Sequence, residues 1–307
     1  MRLFITLLLL AFSQSGWNAA LFSYDPDREV ARTSKGIYRT AFLVDPKNLK
    51  VGDEIDITTP DGKHIVYTVE KAKTTNLGNW LVTAKSYYAL SRLNLVIGED
   101  DHVVIRFNVG FRHYQMDSNQ GFLRLVDVKA TGVKMLPIDD GPVMPTLEKD
   151  WSGVSVKKNS RSSRSSEIAI IDVLFYYDDS VDGLLAAIDS VVATANNAFS
   201  DSGILIEVRV VHAVPIPLDD RATLYTTLDQ VRDREGGFEN LEQLLEDYQA
   251  DAVHALVGPT QEDVEGDACG VATLSIINGL KLAEFRGATH FNSDGGWGCS
   301  DLVFAHE

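Results

Sequence analysis

The sequence closes on two residues whose types and order could support metal chemistry. His306 supplies an imidazole that can bind Zn²⁺, and Glu307 supplies a carboxylate that can act as a general base beside a metal-bound water. In the helical pattern H-E-x-x-H, two histidines four residues apart share one face of the helix and hold the ion. The chain shows the first two positions of this pattern behind the apolar run 302–305. A His-Glu pair is a weak signal by itself, so its weight depends on the sequence before it.

Other catalytic arrangements have no support in the sequence. A serine nucleophile on a strand-to-helix turn would need the pattern G-x-S-x-G, which does not occur. Neither cysteine is placed as a nucleophile with a partnered histidine, and no glycine-rich phosphate loop opens a helix. The metal interpretation is therefore the one to test against the elements upstream.

Strand and helix patterns alternate from Glu167 onward. Near-continuous apolar runs suit strands that are covered on both faces, and apolar residues spaced by three and four predict helices. This order predicts a layered βαβ-type domain with a largely parallel sheet. The predicted elements are strands at 168–177, 204–211, 252–257 and 269–276 and helices at about 181–202, 224–232 and 238–248. The last strand is predicted at an edge of the sheet, with a loop from there to Gly298.

Residues 21–150 have the pattern of a β-rich domain without a long amphipathic helix. Asp61-Gly62 lies between two alternating runs and predicts a tight hairpin turn. Strands are predicted at 37–44, 54–59, 64–70, 80–85, 94–97, 103–109 and 122–128. Residues 151–166 are serine-rich and basic, which predicts an exposed segment that is either a plain linker or a processing site.

Residues 1–20 predict a secretory signal peptide. Arg2 precedes the apolar run 3–12, and small residues lead to cleavage after Ala19 or Ala20. The apolar run has about half the length of a membrane span. The expected location is secreted, extracellular or periplasmic, with no membrane contact after signal removal.

The charge of the chain excludes one class of partner. The formal net charge is −16, which argues against nucleic acid because a phosphate backbone selects basic surfaces. The acidity is concentrated in residues 167–307, which hold 26 acidic and 6 basic residues.

Two cysteines, Cys269 and Cys299, are present in the whole sequence. In an exported protein an isolated pair favours a disulfide, and the bridge would close a loop of about thirty residues. Two buried free thiols are the alternative.

Five short segments of the C-terminal half carry a family resemblance through their order and spacing. They are I-D-V-L-F-Y-Y-D-D-S, A-N-N-A-F-S-D-S-G-I, D-A-V-H-A-L-V, C-G-V-A and C-S-D-L-V-F-A-H-E. Together they make residues 168–307 similar to the catalytic domain of the reprolysin (adamalysin-like) branch of metzincins, in its bacterial secreted form. The family pattern is H-E-x-x-H-x-x-G-x-x-H followed by a Met-turn.

The resemblance implies a role for each matching position. It implies a zinc-dependent metalloendopeptidase in which a zinc-activated water hydrolyses the peptide bond and a glutamate acts as general base, with an extended polypeptide as substrate. It also implies that the β-rich half resembles a propeptide domain in contact with the catalytic domain. The residues carried over are His306 as first zinc ligand, Glu307 as general base, Cys269 and Cys299 as a family disulfide, and Gly270, Val271, Ala272 and Thr273 as the substrate-binding edge strand.

The predicted fold class is α/β, a metzincin-like catalytic domain at 167–307 preceded by the β-rich propeptide-like domain. Its sheet is expected to be mostly parallel and twisted, with an antiparallel edge strand, and incomplete because the zinc motif stops after Glu307. Catalytic zinc needs three protein ligands and an open position, so the 307-residue chain is expected to hold no stoichiometric zinc and to lack peptidase activity. The alternative is a non-catalytic secreted binding module or a decayed metzincin-like protein.

Overall fold

In the computed structural model, the described residues form two sheets and three α-helices. The residues that it describes are 19–24, 37–87, 91–110, 112–119, 122–127, 167–179, 183–217, 223–257, 270–273 and 283–287. Most of the predicted signal segment and the whole predicted linker 151–166 lie outside these residues. No helix in these ranges is both long and apolar enough to cross a membrane.

Ten strands of the N-terminal half form one sheet that closes on itself. Its order is β1-β4-β5-β6-β7-β8-β9-β10-β3-β2. Leu21, between β1 and β2, joins the two ends: its N–H donates to the carbonyl of Asp56, and its own carbonyl accepts from the N–H of Leu43. The strands are β1 Ala19–Ala20, β2 Phe22–Tyr24, β3 Ile37–Phe42, β4 Glu54–Thr58, β5 His64–Thr74, β6 Trp80–Ser86, β7 Arg92–Ile97, β8 Val103–Val109, β9 Arg112–Asn119 and β10 Phe122–Asp127. A short 3₁₀ turn occupies Pro46–Asn48. We call this closed sheet the N-terminal sheet.

The predicted hairpin is present between β4 and β5. Gly62 has a φ of +81°, and the N–H of Thr59 donates to the carbonyl of Lys63 at 2.8 Å. Strands β1, β2 and β9 were not predicted from the sequence, and β9 occupies 112–119, between the predicted strands at 103–109 and 122–128. Its residues R-H-Y-Q-M-D-S-N are polar and interrupt the apolar alternation, yet they pair on both sides, with β8 and with β10.

Burial in the N-terminal sheet differs between its strands. In β4, buried and exposed residues alternate, as expected when one face is in the core and the other meets water. In β6, β7 and β8 nearly every residue is buried. The outer face of these three strands must therefore be covered, and the cover comes from the C-terminal half.

The C-terminal half contains a five-stranded sheet in the order β12-β11-β13-β15-β14. The first four strands in this order are parallel, and β14 is antiparallel to β15. We call it the C-terminal sheet. Its elements are β11 Ala169–Asp178, α1 Leu184–Asp201, β12 Ile206–Ile216, α2 Leu224–Asp233, α3 Leu241–Tyr248, β13 Ala252–Leu256, β14 Gly270–Thr273 and β15 Ala283–Gly287. The α/β class predicted from the sequence is confirmed.

The C-terminal sheet is covered on both faces, which explains its near-continuous apolar strands. On one face, Leu174 and Tyr176 of β11 pack with residues of α2 and α3 and with Phe238 in the turn between these helices. On the other face, Val173 and Phe175 pack with residues of α1. Helix α1 therefore has one face on the C-terminal sheet and, as shown below, another on the N-terminal sheet.

Helix α1 begins later than the sequence indicated. Its first residue is Leu184, and the residue before it, Gly183, adopts a left-handed conformation with no side-chain cap. The predicted start near Val181 is therefore wrong. Asp178 and Asp179 instead finish strand β11 and its following turn.

Candidate active site

Strand β14 occupies the edge that the sequence assigned to it. Gly270 to Thr273 pair antiparallel with β15 on one side, and no other strand of the described chain lies on the opposite side. Helix α2 lies against both β14 and β15. An edge strand in this position has a row of main-chain groups that an extended peptide can pair with.

Strand β15 is a feature that the sequence did not predict. Residues 283–287 fall within the stretch expected to be a loop, yet they pair in parallel with β13 and insert between β13 and β14. The segment A-E-F-R-G has one large apolar residue and two charges, so neither alternation nor a continuous apolar run marks it. Consequently β14 is next to β15 and not next to the third predicted strand.

The candidate chemical residues lie outside the described residues. This holds for His306 and Glu307, and also for Cys269 and Cys299, so the metal ligand, the base and the disulfide stay predictions. Among the residues that are described, no group of three or more His, Cys, Asp or Glu side chains could hold a metal ion. A zinc proposal for this chain therefore rests on residues outside the described ranges, where the sequence predicts His306 as a ligand.

The buried polar residues near the centre of the C-terminal sheet have structural roles. His254 of β13 is fully buried, and its ring packs on Phe175 with centroids 5.2 Å apart. Tyr176 donates its hydroxyl to Oδ1 of Asn240 at 3.1 Å, and burial raises the pKa of Tyr176 to about 12. Within the part of the chain that the structure describes, neither side chain belongs to a group of three or more His, Cys, Asp or Glu residues that could hold a metal ion.

The polar contacts between helix α1 and the N-terminal sheet were not predicted from the sequence. Asp189, which is 5 % exposed, accepts from Oγ1 of Thr75 at 2.6 Å and from Nδ2 of Asn79 at 2.7 Å. Burial raises the pKa of Asp189, against the lowering effect of these two hydrogen bonds and of Lys73. A polar residue opposite the apolar stripe of an amphipathic helix normally faces water, so the helical pattern alone could not identify Asp189 as buried.

Further contacts continue along α1 to its C-terminal end. Asn94 donates to Oγ1 of Thr194 at 2.9 Å, and Asn197 donates to Oδ1 of Asn94 at 2.9 Å. At the last residue of α1, Asp201 accepts two hydrogen bonds from the guanidinium of Arg92, which hold the pKa of Asp201 below its usual range. The contact between the two halves thus runs along the whole length of α1.

Comparison with known proteins bears on the C-terminal half. Residues 185–307 match the sequence model described as metallopeptidase family M12B, reprolysin-like. No curated protein matches the chain. Metalloproteinase-II from Bacteroides fragilis is similar in structure at 11 % identity, over 77 % of this chain and 75 % of that one, with a TM-score of 0.44. A chaperone–substrate complex is similar at 12 % identity, over 39 % of this chain and 98 % of that one, with a TM-score of 0.31. At these scores neither structural likeness bears on function.

Proposed function

We propose that this chain belongs to a secreted zinc-dependent metalloendopeptidase, because residues 185–307 match the model of the reprolysin-like metallopeptidase family M12B. The family match is the observation that carries the proposal. It spans α1, β12, α2, α3, β13, β14 and β15 and reaches the terminal His-Glu pair. A metallopeptidase hydrolyses peptide bonds, so the substrate class is polypeptide.

We assign His306 as a zinc ligand and Glu307 as the general base. These roles come from the position of the pair in the family pattern and from the chemistry of the two side chains. Zinc, when bound, supplies a water of lowered pKa and polarises the scissile carbonyl. The contribution of Glu307 is to accept a proton at its carboxylate and to transfer it to the leaving amine.

The substrate is proposed to bind in an extended conformation along β14. The position of this strand at an edge of the C-terminal sheet supports the assignment, because pairing there would use main-chain groups and tolerate many side chains. Gly270, Val271, Ala272 and Thr273 would form the pairing segment. A disulfide between Cys269 and Cys299 would join the residue before this strand to the segment that leads to His306.

Activity measurements on the protein as produced by its source test the proposal. Glu307→Gln should lower the hydrolysis rate of an unstructured polypeptide by about 10²–10⁴-fold, because the general base is lost. Asp301→Asn, in the same segment but outside the motif, is the matched control and should keep the activity. Full activity of the Glu307→Gln protein would contradict the assignment and would favour a non-catalytic binding module.

A metal measurement on residues 1–307 tests the ligand assignment separately. Within this polypeptide the family motif contributes one histidine, whereas catalytic zinc takes three protein ligands. We therefore expect less than stoichiometric zinc after dialysis against metal-free buffer, measured by elemental analysis. Tight binding of one zinc per chain would contradict this expectation, and retention of that zinc in His306→Ala would show that His306 is not its ligand.

A further inference from the structure

The strongest unassigned feature of the molecule is the surface on which α1 lies. We call it the docking face: the outward side of β6, β7 and β8 together with the turn 75–79. Its apolar part consists of Leu81, Val96 and Val104, which cluster with Ala186 and Ala193 of α1. All five side chains are at most 8 % exposed. The two alanines are seven residues apart, so they lie on the same face of the helix and let it approach the strands closely.

The polar side chains of the docking face form specific hydrogen bonds with the C-terminal half. Nδ2 of Asn79 donates to Asp189 and to the carbonyl of Leu185, the latter at 3.1 Å. With the bonds from Thr75, Asn76, Arg92, Asn94 and Asn197, eight hydrogen bonds connect the two halves. A stable interface between separate proteins has about ten, with a scatter of about five, so the docking face is as well connected as one.

The docking face also reaches the edge of the C-terminal sheet at β12. As an edge strand, β12 has one row of main-chain groups that β11 does not use. Nδ2 of Asn76 donates to the carbonyl of Val210 at 2.8 Å. The carboxamide of Asn196 in α1 bonds both main-chain groups of Val208, at 2.7 and 2.8 Å. The N-terminal sheet thus supplies part of the cover for an edge that could otherwise pair with another chain.

These contacts lie at the opposite side of the C-terminal sheet from β14. Three strands, β11, β13 and β15, separate β12 from β14, which corresponds to about 19 Å at the usual strand spacing. Docking on α1 and β12 is therefore independent of occupancy of the β14 edge.

We propose that the N-terminal sheet is a lasting non-covalent partner of the C-terminal half, bound to helix α1 and to the edge of β12. The docking face recognises helix α1 through its small residues, the buried carboxylate of Asp189 and the terminal Asp201. It also contacts the neighbouring edge strand β12. The covalent connection through residues 151–166 is then dispensable for the association. A chain cut there stays assembled, and the N-terminal part continues to cover α1 and β12.

Cleavage of the full chain at one engineered position tests this proposal. Residues 159–164 are replaced by the recognition sequence of a site-specific protease, and the cut product is analysed by size-exclusion chromatography and native mass spectrometry at micromolar concentration. We expect both fragments to co-elute with the mass of the uncut chain. Separate elution, or precipitation of the C-terminal fragment while the N-terminal fragment stays in solution, would overturn the proposal. The readout does not depend on peptidase activity.

A pair of variants tests whether the docking face is responsible. In the cut chain, Asn79→Ala combined with Asn94→Ala removes contacts to Asp189, Leu185 and Thr194 and should raise the dissociation constant at least about tenfold. Asn48→Ala is the control, since the side chain of Asn48 bonds Asp45 at an exposed turn. Equal dissociation constants would overturn the assignment of the surface. If the double variant does not fold before cutting, the cut parental chain still decides the proposal, because it carries no substitution in the interface.

Discussion

Gly183 is the residue at which the start of α1 meets the N-terminal sheet. Its φ is +78°, and a Cβ atom built on it would overlap the imidazole ring of His102. Gly203, just past the other end of α1, has a φ of +68° with no atom within 4 Å of such a Cβ. A substitution at Gly203 would therefore add only backbone strain, whereas the same substitution at Gly183 would add steric overlap as well.

We expect Gly183→Ala to destabilise the chain more than Gly203→Ala does. The Gly203 variant should lose about 1 kcal/mol from strain at positive φ, and the Gly183 variant about 2–3 kcal/mol because overlap is added. Urea unfolding followed by circular dichroism measures both. Equal losses would mean that the ring of His102 moves aside without cost.

Asp189 and Asp201 lie on the same helix but should change stability in opposite directions with pH. Burial raises the pKa of Asp189 above its ordinary value of 3.8, so its contribution is fully present below that value and is lost as pH rises through the raised pKa. Arg92 lowers the pKa of Asp201, so its contribution is present above 3.8 and is lost as pH falls through the lowered pKa.

Substitution of each aspartate by asparagine should reveal how its contribution to the unfolding free energy changes with pH. The difference in unfolding free energy between the parent and Asp189→Asn should fall as pH rises across the acid range, whereas the difference between the parent and Asp201→Asn should rise. Each variant is the control for the other, because most of the remaining titration is common to both. Parallel slopes measured between pH 3 and pH 7 would show that burial of Asp189 does not govern its pKa.

The side chain of Asn196 protects the edge of strand β12. Its carboxamide occupies both main-chain groups of Val208, which is 7 % exposed. Asn196→Ala leaves these groups without a partner in a site that water hardly reaches. We expect a loss of about 1–3 kcal/mol and faster aggregation through the exposed edge of β12.

Asn197→Ala is the matched control for this prediction. It changes the neighbouring residue of the same helix but removes a bond to a side chain, that of Asn94. Its stability loss should be smaller, and light scattering at elevated temperature should show no added aggregation. Aggregation of both variants at the same rate would indicate general destabilisation and not exposure of the edge.

Elements with a regular apolar pattern could be predicted from the sequence, and those without one could not. Val103–Val109 was predicted at both ends, and the Asp61-Gly62 turn follows from local conformational preference. Strands β9 and β15 have polar or mixed residues and owe their place to pairing on both sides, which is a long-range property. The late start of α1 coincides with Gly183, which has a positive φ and lies so close to the ring of His102 that a Cβ atom would overlap it.

The candidate site has two parts, strand β14 and the pair His306 and Glu307, and the structure describes only the first of them. An edge strand was predicted at 269–276 from the order of the elements, and the structure has Gly270–Thr273 at an edge. The substrate-binding role of these four residues follows from the family resemblance and stays a prediction. The roles of His306 and Glu307 follow from a motif and the family match, since both lie outside the described residues. The polar contacts of Asp189 could not be foreseen, because each joins residues more than a hundred positions apart.

At the scale of the whole molecule, the sequence suggested two domains with separate cores, and the structure joins them through α1. The linker composition and the change from strand to strand-helix patterns indicate a boundary, but neither reveals a shared surface. Leu81, Val96 and Val104 point away from the N-terminal core and would be exposed if that sheet stood alone. Such residues look like ordinary strand positions until their partner helix is known.

The shared helix leads to a prediction about local stability. Val96 is fully buried against the small residues of α1, so Val96→Asp places an unpaired charge in the interface. In hydrogen exchange followed by mass spectrometry, amides of α1 and β12 should exchange faster, while those of β13 and α3, which pack away from the docking face, should change less. Val51→Asp, at a site that is 66 % exposed, is the control and should leave the pattern unchanged. Equal acceleration in α1, β12, β13 and α3 would mean that the C-terminal half unfolds as one unit, and the docking face would then stabilise the entire half and not only its nearest elements.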